Sequence, residues 1–173
     1  MRSSAKEQKA AHRGEPVILF GIGDNMFAIS AASVDEIRDT QGLQQIATAA
    51  IAKVRYRLLR DGRTYYVVDG NLYFRILPSH ATRVLVLRNS RAAVLVSHID
   101  RMTEISNVAP LPHAFLGEER NWYRGLAVLN PESDTPSVVP VVNSDTFVSP
   151  AEMELLQSGE PRKQGRAAAR MQR

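Results

Sequence analysis

The sequence contains no cysteine, and this absence excludes disulfide bridges, thiol catalysis and thiolate metal sites. Such a composition fits a reducing compartment. The chain also lacks any apolar run close to the ~20 residues that a membrane-spanning helix requires. Its N-terminal segment is basic but has no apolar centre, so it does not have the pattern of a secretory signal. We therefore expect a soluble cytoplasmic protein.

Sequence motifs of common enzyme classes are missing as well. The chain has no P-loop, dinucleotide-binding fingerprint, HExxH or GxSxG. Of the four histidines, His98 alternates with Asp100 and would share a strand face with it, as a base and its orienting group do. No nucleophile or metal ligand is spaced to join that pair. The sequence thus predicts no catalytic residues, no cofactor and no metal.

The basic charge is concentrated at the two ends. The whole chain has a formal net charge of +4, whereas residues 15–157 alone carry a net charge of −3. Residues 1–14 and 160–173 are basic, lack apolar periodicity and are predicted to be disordered tails. One alternative stays open: a small basic β-barrel protein that binds nucleic acid through its tails and exposed aromatic side chains. The acidic body makes nucleic acid the less favoured partner.

Between the tails, short apolar runs alternate with turn residues, which is typical of a β-rich protein. Asp61-Gly62 lies between the strand patterns VRYRLL and TYYVVD and is a strong hairpin signal. Residues 17–30, 84–99 and 123–142 predict further hairpins, and residues 40–53 fit either a helix or a long loop. A capping serine at Ser149, with Pro150 and Glu152 behind it, predicts a short C-terminal helix over residues 149–159.

The chain also resembles itself at a fixed spacing. VILF at residues 17–20 and VLVL at residues 84–87 lie 67 residues apart, and Tyr56-Arg57 recurs as Tyr123-Arg124 at the same distance. We therefore expect two repeats, 15–80 and 83–148, each with about five short strands that curl into a small barrel. The two barrels would share one apolar seam, and strands could be exchanged between them.

This order of elements resembles the CheW-like domain found in chemotaxis coupling proteins and in the regulatory domain of the CheA histidine kinase. VILFGIG, MFAIS and the segment VDEI at residues 34–37 match the family's first strands, and RVLVLRNSRAAVLVSHIDRM, Tyr123-Arg124-Gly125 and VVPVV match its second half. The resemblance covers about residues 16–148. It implies a mainly β fold of two fused five-stranded SH3-like barrels, with a CheW-like domain over residues 15–148.

The resemblance implies binding rather than catalysis. Members bridge a methyl-accepting chemoreceptor to a CheA-type histidine kinase, so the chain is expected to be a non-catalytic adaptor in a bacterial two-component system. Asp61 stands where the family usually has an arginine before the conserved glycine, which places the receptor partner in question because the local charge is reversed. The predicted partner-binding residues are Arg57, Arg60, Asp61, Gly62, Arg63, Tyr66, Trp122, Arg124 and Gly125.

Overall fold

The computed structural model describes residues 14–159 and is mainly β. The strands of the first half are β1 (Glu15–Ile22), β2 (Asn25–Ser30), β3 (Val34–Arg38), β4 (Leu43–Gln45), β5 (Val54–Arg60) and β6 (Arg63–Asp69). Those of the second half are β7 (Arg83–Leu87), β8 (Ala92–Val96), β9 (His98–Ile105), β10 (Val108–Ala109), β11 (Tyr123–Leu129) and β12 (Ser137–Val142). The α-helices are α1 (Gly70–Tyr73), α2 (Glu119–Trp122) and α3 (Pro150–Ser158), and 3₁₀ turns lie at Ala31–Ser33 and Ser144–Thr146.

The strands of the described part form two six-stranded sheets that exchange a hairpin. One sheet has the order β10-β11-β12-β2-β1-β9 and the other has the order β3-β7-β8-β6-β5-β4. Hairpin β1–β2 therefore lies between β9 and β12, and hairpin β7–β8 lies between β3 and β6. In both sheets the inserted hairpin has one antiparallel neighbour, at β9 or β3, and one parallel neighbour, at β12 or β6.

The predicted fold class is confirmed, with one additional short strand in each sheet. These strands are β4, with three residues, and β10, with two residues, and both are too short to show an alternating pattern. Residues 40–53, which fitted a helix or a long loop, contain β4 between turns. The division into repeats 15–80 and 83–148 stays a prediction, and almost all of both predicted tails lies outside the described residues.

Two kinds of apolar core hold the molecule together. Each sheet curls around its own interior, one containing Leu19 and Val139 and the other containing Leu58 and Val67. A larger cluster fills the seam between the sheets, with Phe20, Phe27, Phe74, Trp122 and Phe147 among its members. Phe27 and Phe74 stack there with ring centroids 4.5 Å apart. Burial of this seam makes the two sheets one folding unit, because neither sheet could expose so large an apolar face to water.

Helix α3 closes one side of the seam and begins as its cap pattern predicts. The Ser149 side chain accepts a hydrogen bond from the Glu152 amide, and Glu152 accepts one from the Ser149 amide. Leu156 is buried against the seam cluster, and the hydroxyl of Tyr66 donates to the Leu156 carbonyl at 3.2 Å. The helix is therefore attached to strand β6 of the first half.

Candidate functional site

The tip of the β5–β6 hairpin is a tight two-residue turn. Asp61 and Gly62 both have positive φ, at 49° and 71°, as a type I′ turn requires. A Cβ added to Gly62 would meet nothing within 4 Å, so this glycine is needed for its backbone angle rather than for space. The turn holds the Asp61 side chain out into solvent, where it is 85% exposed.

Arg60, beside this turn, is engaged within its own barrel. Its guanidinium lies 2.7 Å from Asp35 Oδ2 and 3.0 Å from Glu36 Oε2, both on β3. The hydrogen bond from Arg60 holds the pKa of Asp35 below its usual value. Arg60 therefore fastens β5 to β3, and its charge is largely compensated before any partner arrives.

Of the three other arginines of the hairpin, all of them exposed, Arg57 and Arg63 are the two that lie nearest its tip. Arg57 Nε donates to Gln44 Oε1 on β4 at 2.9 Å, and Arg63 faces an open groove described below. Together with Asp61 these two side chains form what we call the hairpin surface, comprising Arg57, Asp61 and Arg63. A partner touching it would meet one acidic group at the tip and one basic group on each strand.

Three of the predicted contact residues lie in the interior. Tyr66, on β6, is only 3% exposed and its side chain packs toward α3. Trp122 is 9% exposed, with its ring 5.3 Å from Tyr73 and 5.9 Å from Phe74. Gly125 is buried as well, and a Cβ there would overlap the carbonyl oxygen of Ala109. In this conformation they are packing residues, and the idea that they touch a partner directly must be revised.

Arg124 lies at the surface of the other sheet and forms a paired contact. Two of its nitrogens donate to the carboxylate of Glu15 at 2.6 and 3.0 Å, the bidentate geometry that favours arginine over lysine. The hydrogen bond from Arg124 lowers the pKa of Glu15. The pair joins the start of β1 to the start of β11.

The pairing of His98 with Asp100 is broken by a bulge. In the β1–β9 ladder Phe20 faces Ile99 and Leu19 faces Arg101, so Asp100 is the extra residue and strict alternation is lost. Asp100 instead forms an ion pair with Arg101 at 2.9 Å. Within residues 14–159, no three side chains of histidine, aspartate or glutamate are grouped to hold a metal ion.

Sequence reasoning missed a groove at the side of the seam. It has a volume of about 870 Å³ and lies between the β7–β8 turn, the start of β6 and the N-terminal end of α3. Arg63, Arg88 and Arg91 line it together with Leu87, Val148 and Met153. The turn of the predicted hairpin over residues 84–99 contains two of these arginines, in the segment RNSR at residues 88–91, and they are the available sequence signal for the groove.

The chain matches known proteins both in sequence pattern and in fold. A model of the CheW-like domain family matches residues 16–151. This chain belongs to the CheW-like family. A crystal structure of the scaffolding protein TtCheW from Thermoanaerobacter tengcongensis shares the fold, with a TM-score of 0.64 and 12% sequence identity over 75% of this chain and 89% of that one. No curated protein matches the chain in sequence.

Membership of this family supports a scaffold or adaptor role in chemotaxis signalling, which is exercised through protein–protein contacts. Among residues 14–159, no helix is long and apolar enough to cross a membrane. Asp61 lies at the exposed tip of the hairpin surface, while the neighbouring Arg60 turns back toward β3.

Proposed function

We propose that this CheW-like chain is a non-catalytic cytoplasmic adaptor that couples a chemoreceptor or another sensor to a CheA-type histidine kinase. Family membership supports the adaptor role. The hairpin surface supports a specific contact, because a tight turn displays the exposed carboxylate of Asp61, 3.6 Å from Arg60 Nε, with Arg57 and Arg63 exposed on the two strands. Charges placed in this way select a partner and orient it during encounter.

The observation that carries the proposal is the position of Asp61. Its backbone is fixed by the turn, and its neighbour Arg60 is held by Asp35 and Glu36, so the tip has little freedom to reorganise. A partner suited to this chain would present a basic group to Asp61, whereas a partner suited to an arginine there would present an acidic one. Arg124, exposed on the other sheet, is proposed as part of a second contact surface whose shape depends on the buried Trp122 and Gly125.

The test is retention of a CheA-type kinase, and separately of a chemoreceptor signalling tip, on immobilised chain. Wild type is compared with Asp61→Arg, and Asp134→Arg serves as the control because Asp134 is an exposed acid in the β11–β12 turn, away from the hairpin. We expect Asp61→Arg to change retention of at least one partner by about tenfold or more, since juxtaposed like charges cost several kcal/mol. The control should leave retention unchanged.

Two outcomes would count against the proposal. If neither wild type nor Asp61→Arg retains a kinase or a receptor, the coupling role is contradicted. If both bind but Asp61→Arg behaves like Asp134→Arg, the adaptor role stands and the hairpin surface is the wrong interface.

A further inference from the structure

The groove beside α3 is lined by three arginines and two acids, so it carries more positive than negative charge. None of the ion pairs among residues 14–159 includes Arg63, Arg88 or Arg91. Of the two acids, Asp35 is held by Arg60 and also lies within electrostatic reach of Arg88, and Asp145 is exposed. Guanidinium groups that form no ion pair with a carboxylate, placed around a concavity, favour a ligand that carries carboxylates.

The arginines are held by the backbone of the β7–β8 turn. The guanidinium of Arg88 donates to the Val34 carbonyl at 3.2 Å, and the backbone amide of Arg88 donates to the Ser33 carbonyl at 2.9 Å. The carbonyl of Arg91 accepts a hydrogen bond from the Tyr66 amide at 2.8 Å. Asn89, between them, adopts a positive φ of 57°. The two side chains therefore start from a rigid base, which lowers the entropy cost of binding.

The lining between the arginines is apolar. Leu87 is buried at the base, and Val148 and Met153 contribute partly buried side chains from the far wall. Such a surface accommodates aliphatic side chains, which a sugar–phosphate backbone does not offer. The lining thus favours a peptide over a nucleic acid.

We propose that this groove, which we call the arginine groove, binds an acidic amphipathic segment of a partner protein, with its carboxylates on Arg88 and Arg91 and its aliphatic side chains against Leu87, Val148 and Met153. The groove shares Arg63 with the hairpin surface, so the inference extends the proposed function by giving the chemistry of a neighbouring contact. Arg88 and Arg91 are outside the hairpin surface, which allows the two ideas to be tested separately.

The probe is a fluorescent helical peptide with leucines at positions i, i+3, i+4 and i+7 and glutamates between them. A matched peptide replaces every glutamate with glutamine. Binding to the full chain is measured by fluorescence anisotropy at low salt and at 0.15 M salt. We expect the glutamate peptide to bind at least about tenfold more tightly than the glutamine peptide, with affinity falling as salt rises.

The decisive variant is the double substitution Arg88→Gln and Arg91→Gln. This double substitution should weaken binding of the glutamate peptide by about tenfold or more and leave the affinity for the glutamine peptide unchanged. The control is Arg83→Gln, an exposed arginine on the same strand as Leu87 but outside the groove. Because Arg88 also bonds the Val34 carbonyl, Arg91→Gln alone is measured as well, and thermal unfolding verifies that each variant is folded.

Three results would overturn the inference. One is equal binding of the two peptides, or no binding of either at low salt. Another is that an unlabelled single-stranded oligonucleotide binds more tightly than the peptide and that the same double variant abolishes its binding. A third is self-association that depends on Glu132 and Asp134 of the β11–β12 turn, which would make a second copy the occupant. None of these results depends on Asp61→Arg, so the proposed role of the hairpin surface could be contradicted while that of the arginine groove is supported.

Discussion

At the scale of single residues, Glu152 holds α3 at two points. Its carboxylate accepts a hydrogen bond from the Ser149 amide at 2.8 Å and lies 2.9 Å from Nζ of Lys53, the residue before β5. Desolvation acts to raise the pKa of Glu152, but the Ser149 amide and the Lys53 ammonium outweigh it, so the pKa is lowered from its ordinary value of 4.5. The ionised form is therefore the one that the fold stabilises.

This direction predicts how the stability contributed by Glu152 depends on pH. Because the pKa is lower in the folded state, the contribution is fully present above pH 4.5 and is lost as the pH falls through the folded-state pKa. We expect Glu152→Gln to lower the free energy of unfolding by ~1 kcal/mol at pH 7 and to reduce the loss of stability on acidification below pH 4.5. Urea unfolding at a series of pH values measures both.

Glu154→Gln is the control for this experiment, since Glu154 is an exposed acid on the same helix. It should shift the unfolding curve little at any pH. An acid limb that is as steep in Glu152→Gln as in wild type would contradict the pairing described here.

The same scale shows which residue roles could be predicted from the sequence. Asp61-Gly62 is a local signal, and both the turn and the exposure of Asp61 follow from it. The burial of Tyr66 does not, because β6 has three consecutive buried residues, Tyr66, Val67 and Val68. One face of this strand meets the barrel interior and the other meets the seam and α3, so alternation in the sequence could not show which tyrosine is exposed.

At the scale of elements, the short pair β10–β11 depends on one glycine. The backbone of β10 crosses so close to Gly125 that a Cβ there would overlap the Ala109 carbonyl oxygen, and it would approach Val108 Cγ1 to 2.6 Å. We expect Gly125→Ala to lower the free energy of unfolding by about 1–3 kcal/mol, because backbone must move to make room. Chemical denaturation monitored by the fluorescence of Trp122, the single tryptophan, gives the value.

Gly21→Ala is the matched control for this substitution. A Cβ at Gly21 would also be overlapped, but by the exposed imidazole of His98, which can rotate away. Its loss of stability should be clearly smaller. Equal losses in the two variants would show that β10 is free to shift from β11.

The hydrophobic periodicity of the sequence predicted some of these elements and missed others. The hairpins β1–β2, β5–β6, β7–β8 and β11–β12 are all local in sequence and were expected. Strands β4 and β10 were not, and neither was the bulge at Asp100, because each is defined by a partner strand rather than by its own residues. The arginine groove was missed for a related reason: its walls come from β6, the β7–β8 turn and α3, which are distant in the chain.

At the scale of the whole molecule, the exchanged hairpins make each barrel depend on both halves of the chain. We expect a fragment ending at residue 80 to lack a stable fold, because β3 and β6 then have no β7–β8 between them. The complementary fragment beginning at residue 83 should be unfolded for the equivalent reason. Mixing the two should restore the native far-UV circular dichroism and a cooperative melt. Either fragment melting cooperatively on its own would show that one half suffices.

This arrangement also constrains how the chain can fold while it is being synthesised. The hairpin β1–β2 leaves the ribosome first, yet its partners β9 and β12 are among the later strands, ending at Ile105 and Val142. The earliest strands must therefore wait, with Phe20 and Phe27 uncovered, until most of the domain has emerged. Contacts this distant in sequence slow folding and lengthen the exposure of apolar strands. In the nascent chain these two phenylalanines therefore stay exposed to water for longer than they would in a fold whose hairpins pair only with their sequence neighbours.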